Sequence, residues 1–249
     1  MNVLDIKNVT KRFGSLVAVR DVSLAVPPGQ LRAIIGPNGA GKTTFFNLIS
    51  GFFAPTSGSI AFDGRDITAL PAYRRVALGM ARTFQITEIF PELSVYENVR
   101  IGAEMKAGYG LRPFIGRAAA AAIRDIVEEM LELVGLQGKA GRLVGELAHG
   151  DQRCAEIAMA LSLCPHLLLL DEPTAGMGDQ ETYQITQLVH RLHREKNCTI
   201  VLIEHDMRVV FHLADRITVL DQGAVLAEGS PQEIAANASV QEAYLGKIA

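Results

Sequence analysis

The feature that most constrains the fold is Gly36-Pro-Asn-Gly-Ala-Gly41-Lys42-Thr43-Thr44, set between the apolar run Leu31–Ile35 and the mostly apolar stretch Thr43–Ser50. Its spacing, Gly-x4-Gly-Lys-Thr, is that of a phosphate-binding loop. Glycines let the backbone curl so that successive N–H groups point inward at phosphate oxygens, and the following helix adds its positive end. With a strand before the loop and a helix after it, the chain belongs among α/β folds. Gly36, Pro37, Asn38, Gly39, Ala40, Gly41, Lys42, Thr43 and Thr44 are the candidate nucleotide contacts. In that arrangement Lys42 bridges the β- and γ-phosphates and the Thr43 hydroxyl ligates Mg²⁺. The alternative is a glycine-rich turn with no ligand, and the flanking strand and helix weigh against it.

Around this loop, residues 1–35 read as short strands at Leu4–Val9, Val17–Val19, Val22–Val26 and Leu31–Ile35, with a turn at Pro27-Pro28-Gly29. Ile60–Phe62 followed by Asp63-Gly64 suggests another hairpin. The pattern then changes. Ile123, Ile126, Val127, Met130, Leu131 and Val134 recur at helical spacing across Arg117–Val134, and Gly135 ends the run. A second helix is expected over Asp151–Leu163, ahead of Pro165. Strands return at Leu167–Leu170, Ile200–Ile203, Ile217–Leu220 and Ala224–Ala227, with helices at Glu181–Lys196 and Asp206–Leu213. The expected organisation is an α/β core with an antiparallel β subdomain, over 1–85 and 163–249, and a mostly helical insert over 86–162.

Leu167–Leu170 ends in Asp171-Glu172, two carboxylates at the C-terminal end of a buried strand, where ligands of open α/β sheets sit. Asp171 suits the Mg²⁺ shell, and Glu172 suits a general base that takes a proton from attacking water. His205 follows a second apolar strand, and its imidazole can hold a γ-phosphate and water together. A lone histidine or a lone Gln85 carries little by itself; both gain weight from their order along the chain.

The order of phosphate loop, Gln85, Leu147-Ala-His-Gly-Asp-Gln-Arg153, apolar-Asp171-Glu172 and His205 resembles the nucleotide-binding subunit of ABC transporters over essentially the whole length. The resemblance implies a RecA-like phosphate-loop core and a head-to-tail dimer of ATPases with ATP and Mg²⁺ as cofactors. Lys42, Gln85, Glu172 and His205 then serve catalysis, and Thr43, Gln85 and Asp171 hold the metal. Phe13, in Lys-Arg-Phe-Gly, matches the aromatic that stacks on adenine, against the plainer reading of a strand-end core residue. Ala148, His149 and Gly150 would face ATP bound on the other chain. Here the chain departs from the family pattern: Ala148 stands where a serine is usual, His149 for a glycine, Asp151 for a glutamine, and Gly178, in Thr174-Ala-Gly-Met-Gly178, for the D-loop aspartate. Repulsion from a triphosphate predicts that Asp151 turns away from it, toward the start of its own helix.

Thr83-Phe-Gln85, Phe90-Pro-Glu-Leu-Ser-Val-Tyr-Glu-Asn-Val99, Ala175-Gly-Met177, Glu204-His-Asp-Met207 and Glu242-Ala-Tyr-Leu-Gly246 narrow the resemblance to ATPases of the branched-chain amino acid importer class. Expected partners are a second ATPase subunit, two membrane permease subunits and, indirectly, an external solute-binding protein. No regulatory domain is expected after Gly246.

Composition limits the rivals. A net charge of −3 shows no basic surplus for nucleic acid. No 18-residue apolar run spans a membrane and the N-terminus lacks the apolar centre of a signal peptide, which implies a cytoplasmic, peripheral subunit. Cys154, Cys164 and Cys198 lie in apolar surroundings with no metal spacing, so buried thiols are expected. A soluble ABC ATPase of DNA repair or translation would carry two halves or a long coiled coil. A nucleotide-binding regulatory scaffold would not need Glu172 and His205. A GTPase would need an Asn-Lys-x-Asp motif, which is absent.

Overall fold

The computed structural model describes residues 1–83, 89–109 and 116–245. The chain opens with β1 (Leu4–Phe13), β2 (Leu16–Val26), β3 (Leu31–Ile35), α1 (Lys42–Ser50), β4 (Ser57–Phe62), β5 (Arg65–Asp66), α2 (Ala72–Ala77) and β6 (Met80–Arg82). It continues with α3 (Val95–Lys106), α4 (Arg117–Val134), α5 (His149–Leu161), β7 (Leu167–Asp171), α6 (Asp179–Arg194) and β8 (Thr199–Ile203). The remainder is α7 (Met207–Leu213), β9 (Arg216–Asp221), β10 (Ala224–Gly229), α8 (Pro231–Ala235) and α9 (Ala238–Leu245). These elements cluster into two compact units, residues 1–80 with 192–245, and residues 81–191.

The first unit holds an antiparallel sheet in the order β2-β1-β4-β5. Ile6 stands opposite both Leu24 and Ile60, and all three are buried. Alternation of apolar and polar residues thus gives one dry face. β1 and β2 run much longer than the short strands expected, because cross-strand pairing carries the polar stretches that have no apolar signal of their own. Irregularities in register between Ile6 and Arg12 absorb the breaks in alternation.

The same unit pairs β3 in parallel with β8 and with β9, while β10 returns antiparallel to β9. Every residue of β3 and of β8 is buried, as expected for strands covered on both faces. The C-terminal end of β3 feeds directly into the phosphate loop and α1. At the far end of α1, the buried Arg75 guanidinium donates to the carbonyls of Leu48 and Ile49, both at 2.7 Å, and to Leu70 O at 2.8 Å. A cation there answers the negative end of the helix dipole. Burial pushes Arg75 down to about 10, so it stays charged at neutral pH.

In the second unit α3, α4 and α5 pack on one another. Ile123, Val127, Met130, Leu131 and Val134 form the buried stripe of α4. α3 begins with a capping box between Ser94 and Glu97, a helix start visible in Ser-Val-Tyr-Glu. Gly102 lets α3 approach α5: a Cβ there would lie 2.5 Å from Met159 O. All five residues of β7 are buried, and Thr83 N–H, just past β6, donates to Leu169 O at 2.9 Å.

The expectation of three buried thiols is corrected. Cys164 is exposed, while Cys154 and Cys198 are partly covered. Cys164 sits at a positive φ of 48° between α5 and β7, a turn position that faces water. Burial pushes the Cys154 and Cys198 thiols up to about 11.

Candidate functional site

The phosphate loop shows why its glycines are needed. Gly41 caps α1 with φ 95°, and a Cβ on it would meet Ala18 O at 2.4 Å. A Cβ on Gly36 would meet Leu220 O at 2.1 Å. The loop is therefore held against β2 and β9 by backbone contacts that no side chain could share. No side chain caps the start of α1, which leaves its first amide donors to a ligand. Lys42, the first residue of α1, is buried, and its Nζ donates to Gly36 O at 2.7 Å and Pro37 O at 3.1 Å. The ammonium thus lies curled inside the loop. Thr43 is exposed and Thr44 half-buried; Pro37 is half-buried, Asn38 and Gly39 are exposed, and Ala40 is covered. Backbone donors, a helix start and one ammonium fit an anionic polyphosphate.

Phe13 ends β1 and is 43 % exposed, so it is not a core residue. Its ring meets Phe53 edge-on, with centroids 5.4 Å apart, and the Lys11 ammonium lies 5.1 Å from its centroid. Lys11 is held there by donating to Ala54 O at 2.7 Å. The aromatic is braced while a large part of its surface stays open.

His205 follows β8 with its side chain 62 % exposed. Its backbone N–H donates to the fully buried Glu204 carboxylate at 2.8 Å. Asp206 caps α7 by accepting from Arg208 N at 2.9 Å, and the hydrogen bond to the Arg208 side chain holds the Asp206 carboxyl below its usual range. The imidazole is therefore presented from a turn fixed on both sides by carboxylate–amide bonds.

In the second unit, Asp171 closes β7 with its side chain almost fully buried. Its Oδ2 accepts from Arg82 Nη2 at 2.8 Å. Its backbone carbonyl accepts from Arg153 Nη2 at 2.7 Å, and Arg153 in turn donates to Glu156 at 2.6 Å. Glu172, half-buried, has φ 44°, the left-handed region that costs an ordinary residue about 1–2 kcal/mol. A carboxylate held in a strained backbone conformation is the kind of feature that collects at reactive sites.

The loop before α5 carries Ala148 and His149 exposed and Gly150 buried. Ala148 is the N-cap and supplies no capping side chain. Instead Gly150 N–H donates to Glu181 Oε1 at 3.1 Å, and the other oxygen of Glu181 accepts from Gly178 N at 3.4 Å. Asp151 lies in the first turn of α5, but its carboxylate, expected to serve the start of that helix, is taken by an ion pair with Lys139. Gln85 lies outside the described residues.

Arg82, Glu156 and Glu181 carry no mark in a single sequence, and Arg153 stands out there only as the end of the Leu147–Arg153 motif. The one general signal that could have found such an arginine is that a buried carboxylate needs a counter-charge. Among the described residues no cluster of three or more His, Cys, Asp or Glu side chains is built to hold a metal. A hydroxyl such as Thr43 and a carboxylate such as Asp171 are hard oxygen ligands. They suit Mg²⁺, which keeps its waters and is shared with substrate phosphates.

A family model described as ABC transporter matches residues 19–175, and one described as branched-chain amino acid ATP-binding cassette transporter matches residues 224–249. The high-affinity branched-chain amino acid transport ATP-binding protein BraF of Pseudomonas aeruginosa is 41 % identical over 251 residues, covering 98 % of both chains. The protein LivG of Escherichia coli strain K12, with the same description, is 40 % identical over the same length and coverage. Among solved structures, a nucleotide-free ATP-binding cassette from an ABC transporter superposes with a TM-score of 0.83 at 31 % identity, over 98 % of this chain and 99 % of that one. A dimeric cassette in a post-hydrolysis state bound to ADP and Pi superposes with a TM-score of 0.77 at 28 % identity, over 92 % and 98 %.

Proposed function

This chain belongs to the ABC transporter family of ATP-binding subunits, and we propose from that premise that it is the ATP-hydrolysing subunit of an importer of the branched-chain amino acid class. The observation that carries the reading is near-complete coverage, at 40–41 % identity, of subunits bearing that description. An uncapped helix start behind a glycine loop supports it independently.

In this reading the loop amides and Lys42 bind the triphosphate, and the adenine lies on the open face of Phe13. Thr43 offers a hydroxyl, and Asp171 a carboxylate, to the magnesium shell, with Gln85 as a further ligand. Bound Mg²⁺ neutralises charge on the β- and γ-phosphates. Glu172 takes the proton of the attacking water, and the exposed His205 imidazole orients that water against the γ-phosphate. Ala148, His149 and Gly150 approach nucleotide held by a second ATPase subunit, either a copy of this chain or a paralogue. Closure of that pair by ATP, and its reopening after hydrolysis, drives two permease subunits, with a solute-binding protein delivering cargo from outside. Attachment to the membrane is through those permeases; no described helix is long and apolar enough to cross one.

The test is ATP turnover by the assembled transporter carrying Glu172→Gln. Nucleotide should still bind, because the loop and Lys42 are untouched, while turnover falls by roughly 10²–10⁴ with loss of the base. Wild-type turnover in that variant, with the matching partner mutation abolishing it, would show that this chain's own site is degenerate.

A further inference from the structure

Asp171 is expected to serve a metal, yet its carboxylate already has a cation. Arg82 Nη2 lies 2.8 Å from Oδ2, and the two side chains are only 9 % and 5 % exposed. Arg153, the other guanidinium at this strand end, does not duplicate that role. It binds the Asp171 backbone carbonyl and is charge-balanced by Glu156, with both side chains 3 % exposed or less. Asp171 is therefore anchored twice, through its backbone by a neutralised arginine and through its carboxylate by Arg82.

A carboxylate hydrogen-bonded to a guanidinium presents little net field to a second cation, and the effect is large where water is excluded. A dication that binds the Asp171 carboxylate directly must compete with Arg82 for it. Resting on the reading of this chain as a magnesium-dependent ATP-binding subunit, we propose that Arg82 is a positioning residue that serves as a resident counter-cation. It occupies Asp171 until Mg²⁺-nucleotide arrives, and Mg²⁺ binds by exchange with it.

The exchange makes Arg82 oppose the metal. Arg82→Met removes the charge while keeping an extended stem, and Arg82→Lys keeps the charge. ADP binding followed by calorimetry across a range of Mg²⁺ concentrations gives the half-saturating Mg²⁺ for each protein. That concentration should fall at least threefold in Arg82→Met and stay within twofold of wild type in Arg82→Lys. An unchanged or raised value in Arg82→Met overturns the proposal, even if that variant also melts at a lower temperature, because a merely structural pair would change stability alone.

Removing one partner of a buried pair is costly, so a second measurement uses the unaltered chain. Rotation about the Arg82 guanidinium, followed by nitrogen NMR, should be hindered without ligand and with ADP in chelator, and should be freed when Mg²⁺ is added. A guanidinium signal indifferent to Mg²⁺ overturns the exchange. If the wild-type chain binds no ADP at any Mg²⁺ level, the ATP-binding reading itself falls; if it binds ADP and Arg82 does not respond, only the role of Arg82 falls.

Discussion

Replacing Phe13 with alanine separates two costs that the structure puts on different scales. In the folded chain the ring is 43 % exposed and touches Phe53 edge-on at 5.4 Å, with the Lys11 ammonium 5.1 Å from its centroid. An edge-to-face pair contributes about 0.5–1.5 kcal/mol and an exposed cation–π contact about 0.5–1 kcal/mol. Truncation should therefore lower folding stability by roughly 1–2.5 kcal/mol, less than the roughly 3–5 kcal/mol of a fully buried phenylalanine. Loss of base stacking weakens binding by a further 1–3 kcal/mol on the usual scale, or about 5- to 150-fold in Kd. ATP and GTP should suffer alike, because stacking reads the face of a base and not its edge. Urea unfolding of the nucleotide-free chain gives the first quantity and calorimetry with each nucleotide the second. A variant that loses about 4 kcal/mol of stability (the fully buried scale) and keeps its nucleotide affinity would refute the argument.

Lys42→Ala should abolish tight ATP binding in calorimetry, because the loop then has amide donors and no positioned cation; undiminished affinity would remove the phosphate-loop assignment. Arg75→Met strips the Leu48 and Ile49 carbonyls at the end of α1 of their donor. At about 1–3 kcal/mol for each orphaned buried group, the variant should lose on the order of 3 kcal/mol in urea unfolding, and a loss below about 1 kcal/mol would count against that role. Alkylation by iodoacetamide at pH 8 should reach Cys164 first. Cys154 and Cys198, pushed up to about 11, are almost wholly protonated there and gain thiolate only as pH rises. Peptide mapping that finds Cys198 modified ahead of Cys164 would contradict this.

Much of the local structure at the candidate site was legible because neighbouring residues specify it. Gly36 to Thr44 specify a turn and a helix start within nine consecutive residues, and Asp171-Glu172 end a strand whose apolar run announces it. α4 declared itself through the spacing of Ile123, Val127 and Leu131. α3 did not declare itself by periodicity, although Ser94 and Glu97 spelled its capping box. The long β1 and β2 were read as fragments because their outer residues are polar, and only pairing partners keep such residues extended.

What tertiary structure alone decided is the company the charges keep. Arg82 and Asp171 are 89 residues apart in sequence. Glu181 reaches Gly150 across 31, and Arg153 reaches the Asp171 carbonyl across 18. No periodicity links such pairs. Each exists because burial makes an unpaired charge or amide costly, so the fold must supply a partner from wherever the chain happens to pass. The sequence determined which groups are candidates to meet a nucleotide; the three-dimensional arrangement determined which groups hold them, and at what strain, as at Glu172 with its left-handed backbone.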